Sequence, residues 1–92
     1  MKIKIPSKIK LGTSEYEVWF MPFLYRDEGF AGEAYHRLRR IGLDKDLHPQ
    51  DLPITLVHEV LHVIKRQYSC DIKDEDIDRL AYGLSEFLIN CL

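Results

Sequence analysis

The scarcities of this 92-residue chain already exclude several classes of protein. Cysteine is scarce: Cys70 and Cys91 stand far apart, too few for a disulfide framework, and point to reduced thiols. No apolar run approaches the roughly 20 residues that cross a bilayer. The opening residues, Met1-Lys2-Ile3-Lys4-Ile5-Pro6, alternate charge with hydrocarbon and lack the continuous apolar stretch of a signal peptide, so a cytoplasmic location is expected. Neither sign of charge dominates. Thirteen Lys and Arg against fifteen Asp and Glu leave a net charge of −2, which argues against a dedicated nucleic-acid binder with its basic footprint. There is no internal repeat and no low-complexity segment. With 46% hydrophobic and 30% charged residues, the composition suits a single soluble domain over residues 1–92, with a core of limited size.

The elements follow from periodicity. Over residues 2–21, Ile3, Ile5, Ile9 and Leu11 alternate with lysines, which is the period of a strand with lysine outward. Pro6-Ser7 interrupts the run, so pairing is expected from Lys8. Gly12-Thr13-Ser14 supplies a turn, and Tyr16, Val18 and Phe20 then share a face, completing a hairpin. Trp19 and Met21 fall on the other face, which is expected to be partly covered, a helix being one way. Residues 22–32 read as a loop, with Arg26-Asp27-Glu28 in solvent and Phe23, Tyr25 and Phe30 as its anchors to the core. A second hairpin is expected over Glu33–Asp44, turning near Arg37–Arg39, where the arginines read as a solvated turn. Gly42 in its return strand suggests a close backbone approach.

Two helices complete the chain. The first opens with Asp51 as N-cap and Pro53 in the first turn and runs to about Tyr68. It is apolar on two sides, Ile54, Val57, Leu61, Ile64 and Tyr68 against Leu56, Val60 and Val63, as expected of a helix buried between layers. The second spans about Asp74–Cys91, with Ile77, Leu80, Ala81, Leu84 and Leu88 at helical spacing and acidic residues in its first turn. The expected fold is α+β: a small antiparallel sheet of about four strands, in two hairpins, packed on these helices.

The chemistry centres on His58-Glu59-Val60-Leu61-His62 in the first helix. Histidines four residues apart stand one above the other, so both imidazoles can reach one Zn²⁺ at about 2.0–2.1 Å. Glu59 follows His58 by about 100° of rotation, placed to act on water without being a ligand. Burying three such polar groups without a partner would cost several kcal/mol in total, which a metal offsets. A catalytic zinc takes a third protein ligand. The metzincin pattern fails, because Lys65 and Tyr68 occupy the positions of its Gly and His. A carboxylate on the following helix remains, and Asp78, at the margin of the apolar stripe, is the first choice, with Asp74 and Glu75 as alternatives. His36 and His48 lie in no ligand spacing; His48 suits a turn or cap, and His36 is still placed to approach from its strand.

Gly32-Glu33-Ala34-Tyr35, Ile41-Gly42-Leu43 and the stretch from Thr55 to His62 together resemble the ImmA/IrrE-like metallopeptidases, especially their small phage and prophage members. In these a short hairpin precedes a Thr-x-x-His-Glu-x-x-His helix, and a Glu-x-x-Ala-Asn stretch on the next helix provides the third ligand. The matching stretch here is Asp78-Arg79-Leu80-Ala81-Tyr82, with Asp for the longer Glu and Tyr for Asn; Leu61 stands where many members carry Gly. The resemblance covers about residues 30–92. It implies a minimal zincin-like, zinc-dependent peptide-bond hydrolase with His58, His62 and Asp78 as ligands and Glu59 as general base. Tyr82, His36 and Tyr35 are the expected oxyanion or substrate contacts. The strand Glu33–His36 would align an extended peptide or protein substrate. The alternative is a catalytically silent, zinc-stapled protein-interaction module of phage or prophage origin.

Overall fold

A computed structural model describes residues 4–25 and 29–91. The Arg26-Asp27-Glu28 group and the first residues of the expected lysine-alternating strand lie outside the described residues. Ile9 and Leu11 turn inward on β1 (Lys8–Leu11), which pairs antiparallel with β2 (Ser14–Met21), Ile9 opposite Tyr16. Gly12 makes the turn at φ +62°, a conformation that disfavours any side chain. The second hairpin joins β3 (Gly32–Tyr35) to β4 (Arg40–Asp44), also antiparallel, with Arg39 in the left-handed region at φ 54°.

The two hairpins do not form an antiparallel sheet. β2 and β4 lie side by side in parallel, Glu17 opposite Arg40 and Met21 opposite Asp44, giving a mixed sheet in the order β1-β2-β4-β3. Burial explains the insertion of β4 at the centre. Ile41 and Leu43 are wholly buried on one face, and Gly42 is covered on the other, where an added Cβ would meet Met21 Sδ at 2.5 Å. A strand covered on both faces belongs inside a sheet, and β3 is left as its edge.

The two helices are α1 (Leu52–Gln67) and α2 (Asp74–Cys91). Asp51 precedes α1 but makes no side-chain cap; its carbonyl instead accepts from the Thr55 hydroxyl at 2.7 Å. Leu56 and Val63 of α1 meet Tyr16, Ile41 and Leu43 of the sheet in one cluster. Each such side chain contributes about 1.5–3 kcal/mol by leaving water. α2 packs on α1 through Ile77, Ala81 and Ser85. Leu80 and Leu84, expected within that face, are exposed, because the contact selects i, i+4, i+8 rather than the wider stripe.

Two more expectations change. Phe23, Tyr25 and Phe30 are exposed, and the anchor of their loop is Leu24, which is 3% exposed. The face bearing Trp19 carries no helix among the described residues; the Arg40 guanidinium lies over the indole instead, 4.2 Å from its centroid. Asp44, buried at the end of β4, ties the loop down. Its Oδ2 accepts the Tyr25 N–H and its Oδ1 the Asp46 N–H, both at 2.9 Å, and its own N–H donates to Ala31 at 2.8 Å. Among the described residues no helix is long and apolar enough to cross a membrane.

Candidate metal centre

The helical repeat of α1 brings His58 and His62 together at their ring edges. Their Nε2 atoms are 3.1 Å apart and the rings are tilted by 55°, so nitrogen faces nitrogen without stacking. Two ligands of a tetrahedral Zn²⁺ at 2.0–2.1 Å sit about 3.3 Å from each other, so the observed spacing fits a shared cation. Two facing Nε2 atoms at this distance otherwise need a proton between them.

Asp78 is brought to this pair from α2, but to the other nitrogen of His58: its Oδ1 lies 2.9 Å from Nδ1. Asp74 lies one turn earlier on α2, 3.5 Å from Lys65 Nζ, and its charge acts on His62. Glu75 is exposed to solvent. Among the described residues no third His, Cys, Asp or Glu closes a metal-ligand cluster with the two histidines.

Glu59 is buried under the edge of the sheet. Burial, and then the charge of Glu33, push its pKa up to about 7, against the opposing hydrogen bond donated by the Ala34 N–H. A carboxyl group poised near neutrality is suited to taking and returning a proton. Burial also lowers the pKa of His62, with the neighbouring His58 acting in the same direction and Asp74 against it. His36, first residue of the β3–β4 turn, is lowered by burial, by Arg66 and by His62, and its Nδ1 stands 3.3 Å from the Tyr16 hydroxyl. Of the two proposed ligands, His62 is thereby biased toward the neutral form that a cation requires.

Two adjoining clefts open on His58 and Glu59. The larger, about 440 Å³, has Phe30, Ile54, Ala81 and Tyr82 among its walls; the smaller, about 280 Å³, reaches Glu33, His36 and His62. Of the residues expected to contact substrate, Tyr82 lines the larger cleft, His36 lines the smaller, and Tyr35 lines neither. The alternation of β3 turns it to the opposite face, beside Met21 and Gly42, while Ala34 and the following His36 face the site. Sequence reasoning missed Glu33 as the charge that tunes Glu59, and Asp44 as the clamp on the loop carrying Phe30. Glu33 had one signal, its place on a strand expected beside the site; Asp44, one acidic residue among several, had none.

Comparison with known proteins adds no relative: no family model, no curated protein and no solved structure matches the chain.

Proposed function

We propose that this chain is a zinc-dependent peptide-bond hydrolase of minimal zincin-like build, as its resemblance to the ImmA/IrrE-like metallopeptidases implies. The observation that carries the reading is the 3.1 Å approach of His58 and His62 through Nε2, with the buried carboxylate of Glu59 beside them. Imidazole nitrogens with a carboxylate suit zinc among the common divalent ions. His58 and His62 would hold it, with the remaining protein donor from α2, where the resemblance gives the place to Asp78. Zinc bound there supplies a Lewis acid that lowers the pKa of a water toward about 7. Glu59 takes the proton of the attacking water and returns it to the leaving amine. An extended peptide would pair along the outer edge of β3, the terminal strand of the sheet, beside the Ala34 N–H that donates to Glu59, while Tyr82 and His36 line the two clefts. Free thiols at Cys70 and Cys91 suit the reducing cytoplasm.

A second reading, a silent zinc-stapled interaction module of phage or prophage origin, draws support from one feature. Leu80, Leu84 and Phe87 are exposed at i, i+4 and i+7 on α2, a stripe that could meet another protein.

One experiment separates the two. Zinc content and cleavage of a peptide library are measured for the wild type, His58→Ala and Glu59→Gln. Hydrolysis predicts zinc in the wild type and in Glu59→Gln, loss of zinc in His58→Ala, and a fall in cleavage of at least about 10²-fold in Glu59→Gln. Equal zinc in wild type and His58→Ala refutes the metal site. Zinc without any cleavage by the wild type selects the module.

A further inference from the structure

The face of the sheet turned away from α1 carries a second surface, which does not depend on the zinc site. We propose that it docks an acidic peptide segment of a partner protein, one that presents a single large apolar side chain.

The second hairpin builds this surface. Its turn, expected to be solvated charge, sets Arg37, Leu38, Arg39 and Arg40 in succession, and residues 34–43 contain no Asp or Glu. A cup of about 140 Å³ opens here, lined by Trp19, Met21, Tyr35, Leu38, Arg40 and Gly42. Arg40 is its one charged residue. The volume is close to the roughly 150 Å³ that holds a benzene ring in an apolar cavity, so the cup has room for one aromatic or large aliphatic side chain. Trp19 is 44% exposed and Leu38 60%, an aromatic and an aliphatic residue side by side in the lining and open to a partner.

Charge selects that partner. Although the chain carries a net −2, none of Arg37, Arg39 and Arg40 forms an ion pair among the described residues. The acids of the neighbouring strand are already engaged. Glu17, opposite Arg40 across the β2–β4 pair, accepts the indole N–H of Trp19 at 3.2 Å, and Glu15 lies 3.6 Å from Lys8. Arg40 is held with its guanidinium over the Trp19 ring, and its Nε is buried with no hydrogen-bond partner among the described residues. Such a donor lacks an acceptor, and a carboxylate is the acceptor that a guanidinium fits best. The occupant therefore brings carboxylates to the arginines and one side chain to the cup. A nucleic-acid strand fits less well, because Arg40 already lies over the sole tryptophan and the net charge repels phosphate.

Trp19 is the only tryptophan, so its fluorescence reports on the cup. A display library of random dodecapeptides is selected on the full chain. Enriched peptides are then titrated against wild type, Leu38→Ala and an Arg37→Gln/Arg39→Asn double variant. These side chains are exposed in the turn, and Asn suits the positive φ of Arg39, so urea midpoints should match the wild type. Expected are peptides with Asp and Glu around one aromatic or large aliphatic residue, and a saturable change in Trp19 emission. Leu38→Ala should bind about tenfold more weakly, as should a peptide whose large apolar residue is changed to Ala. The double variant should lose roughly 2–10-fold, and added salt should weaken binding to the wild type. No enrichment, enrichment of neutral or basic peptides, binding without a Trp19 response, or equal affinity for the variants overturns the proposal. So does a random single-stranded oligonucleotide that alters Trp19 emission at lower concentration than the peptides, which would make this face a nucleic-acid platform.

Discussion

Glu59 is an acid held near its own neutral point by the fold. Its pKa of about 7 lies above the usual carboxylate value of 4.5, so between those limits the native state keeps a proton that the unfolded chain releases. Its contribution to stability is therefore greatest below about pH 4.5, declines as pH rises toward 7, and is flat beyond, a loss of about 3 kcal/mol at most. His62 and His36 act with the opposite sign. Their pKa values are lowered on folding, so stability falls as pH drops below 6.5 and the unfolded chain takes up protons first. In metal-free protein, Glu59→Gln is thus expected to be more stable than wild type at pH 8, and to gain stability from pH 5 to pH 7. Urea denaturation with a chelator present measures this; a Glu59→Gln profile parallel to the wild type would show that Glu59 is not the group responsible. The motif itself was legible in the sequence, because His58 and His62 share a helical face by spacing alone. The pKa was not, since it depends first on burial, then on the charge of Glu33 and on an N–H from a strand more than twenty positions away, which no local pattern reveals.

Between elements, the site depends on how closely β3 lies against α1. At Gly32 an added Cβ would come within 2.7 Å of Thr55 Cγ2 and 3.2 Å of the Gly42 carbonyl oxygen. Gly32→Ala should therefore push the edge strand off the helix, at a cost of about 1–3 kcal/mol. Because the nearest obstacle is one methyl group, Thr55→Ser in the same chain should restore part of that loss. Denaturant midpoints of the two single variants and the double variant test the coupling; strict additivity would mean that the strand yields without pressing on Thr55. Both hairpins and both helices were readable from period and turn residues. Their arrangement was not. The β2–β4 pairing joins Val18 to Ile41 and Phe20 to Leu43 across the whole loop and a hairpin, and alternation says which residues share a face without saying which strands are neighbours. The second helix teaches the same lesson: Leu80 and Leu84 satisfy the amphipathic pattern, yet the contact with α1 takes Ser85 in their place.

For the whole molecule, a cation held by a 92-residue chain with few wholly buried side chains should change stability measurably. Free zinc at a hundred times its dissociation constant adds about 2.7 kcal/mol to a native state that alone binds it. For a domain of this size that raises the melting temperature by about 10–20 °C. Thermal melts with zinc, with chelator, and of His58→Ala should show the rise only in zinc-treated wild type. An equal rise in His58→Ala would move the binding elsewhere on the surface.

By itself the sequence determined what is local: an α+β order of elements, two hairpins, and a helix presenting two imidazoles and a carboxylate at one level. These follow from backbone periods, which each segment carries alone. Only the tertiary structure decided that β4 lies inside the sheet, that Tyr35 turns away while His36 turns in, and that Glu59 is buried within reach of the charge of Glu33. It also decided that Asp78 meets Nδ1 of His58 rather than the space between the histidines. The reason is common to all four: each depends on contacts between segments distant in the chain, and those are set by competition for a small core, which no single segment encodes.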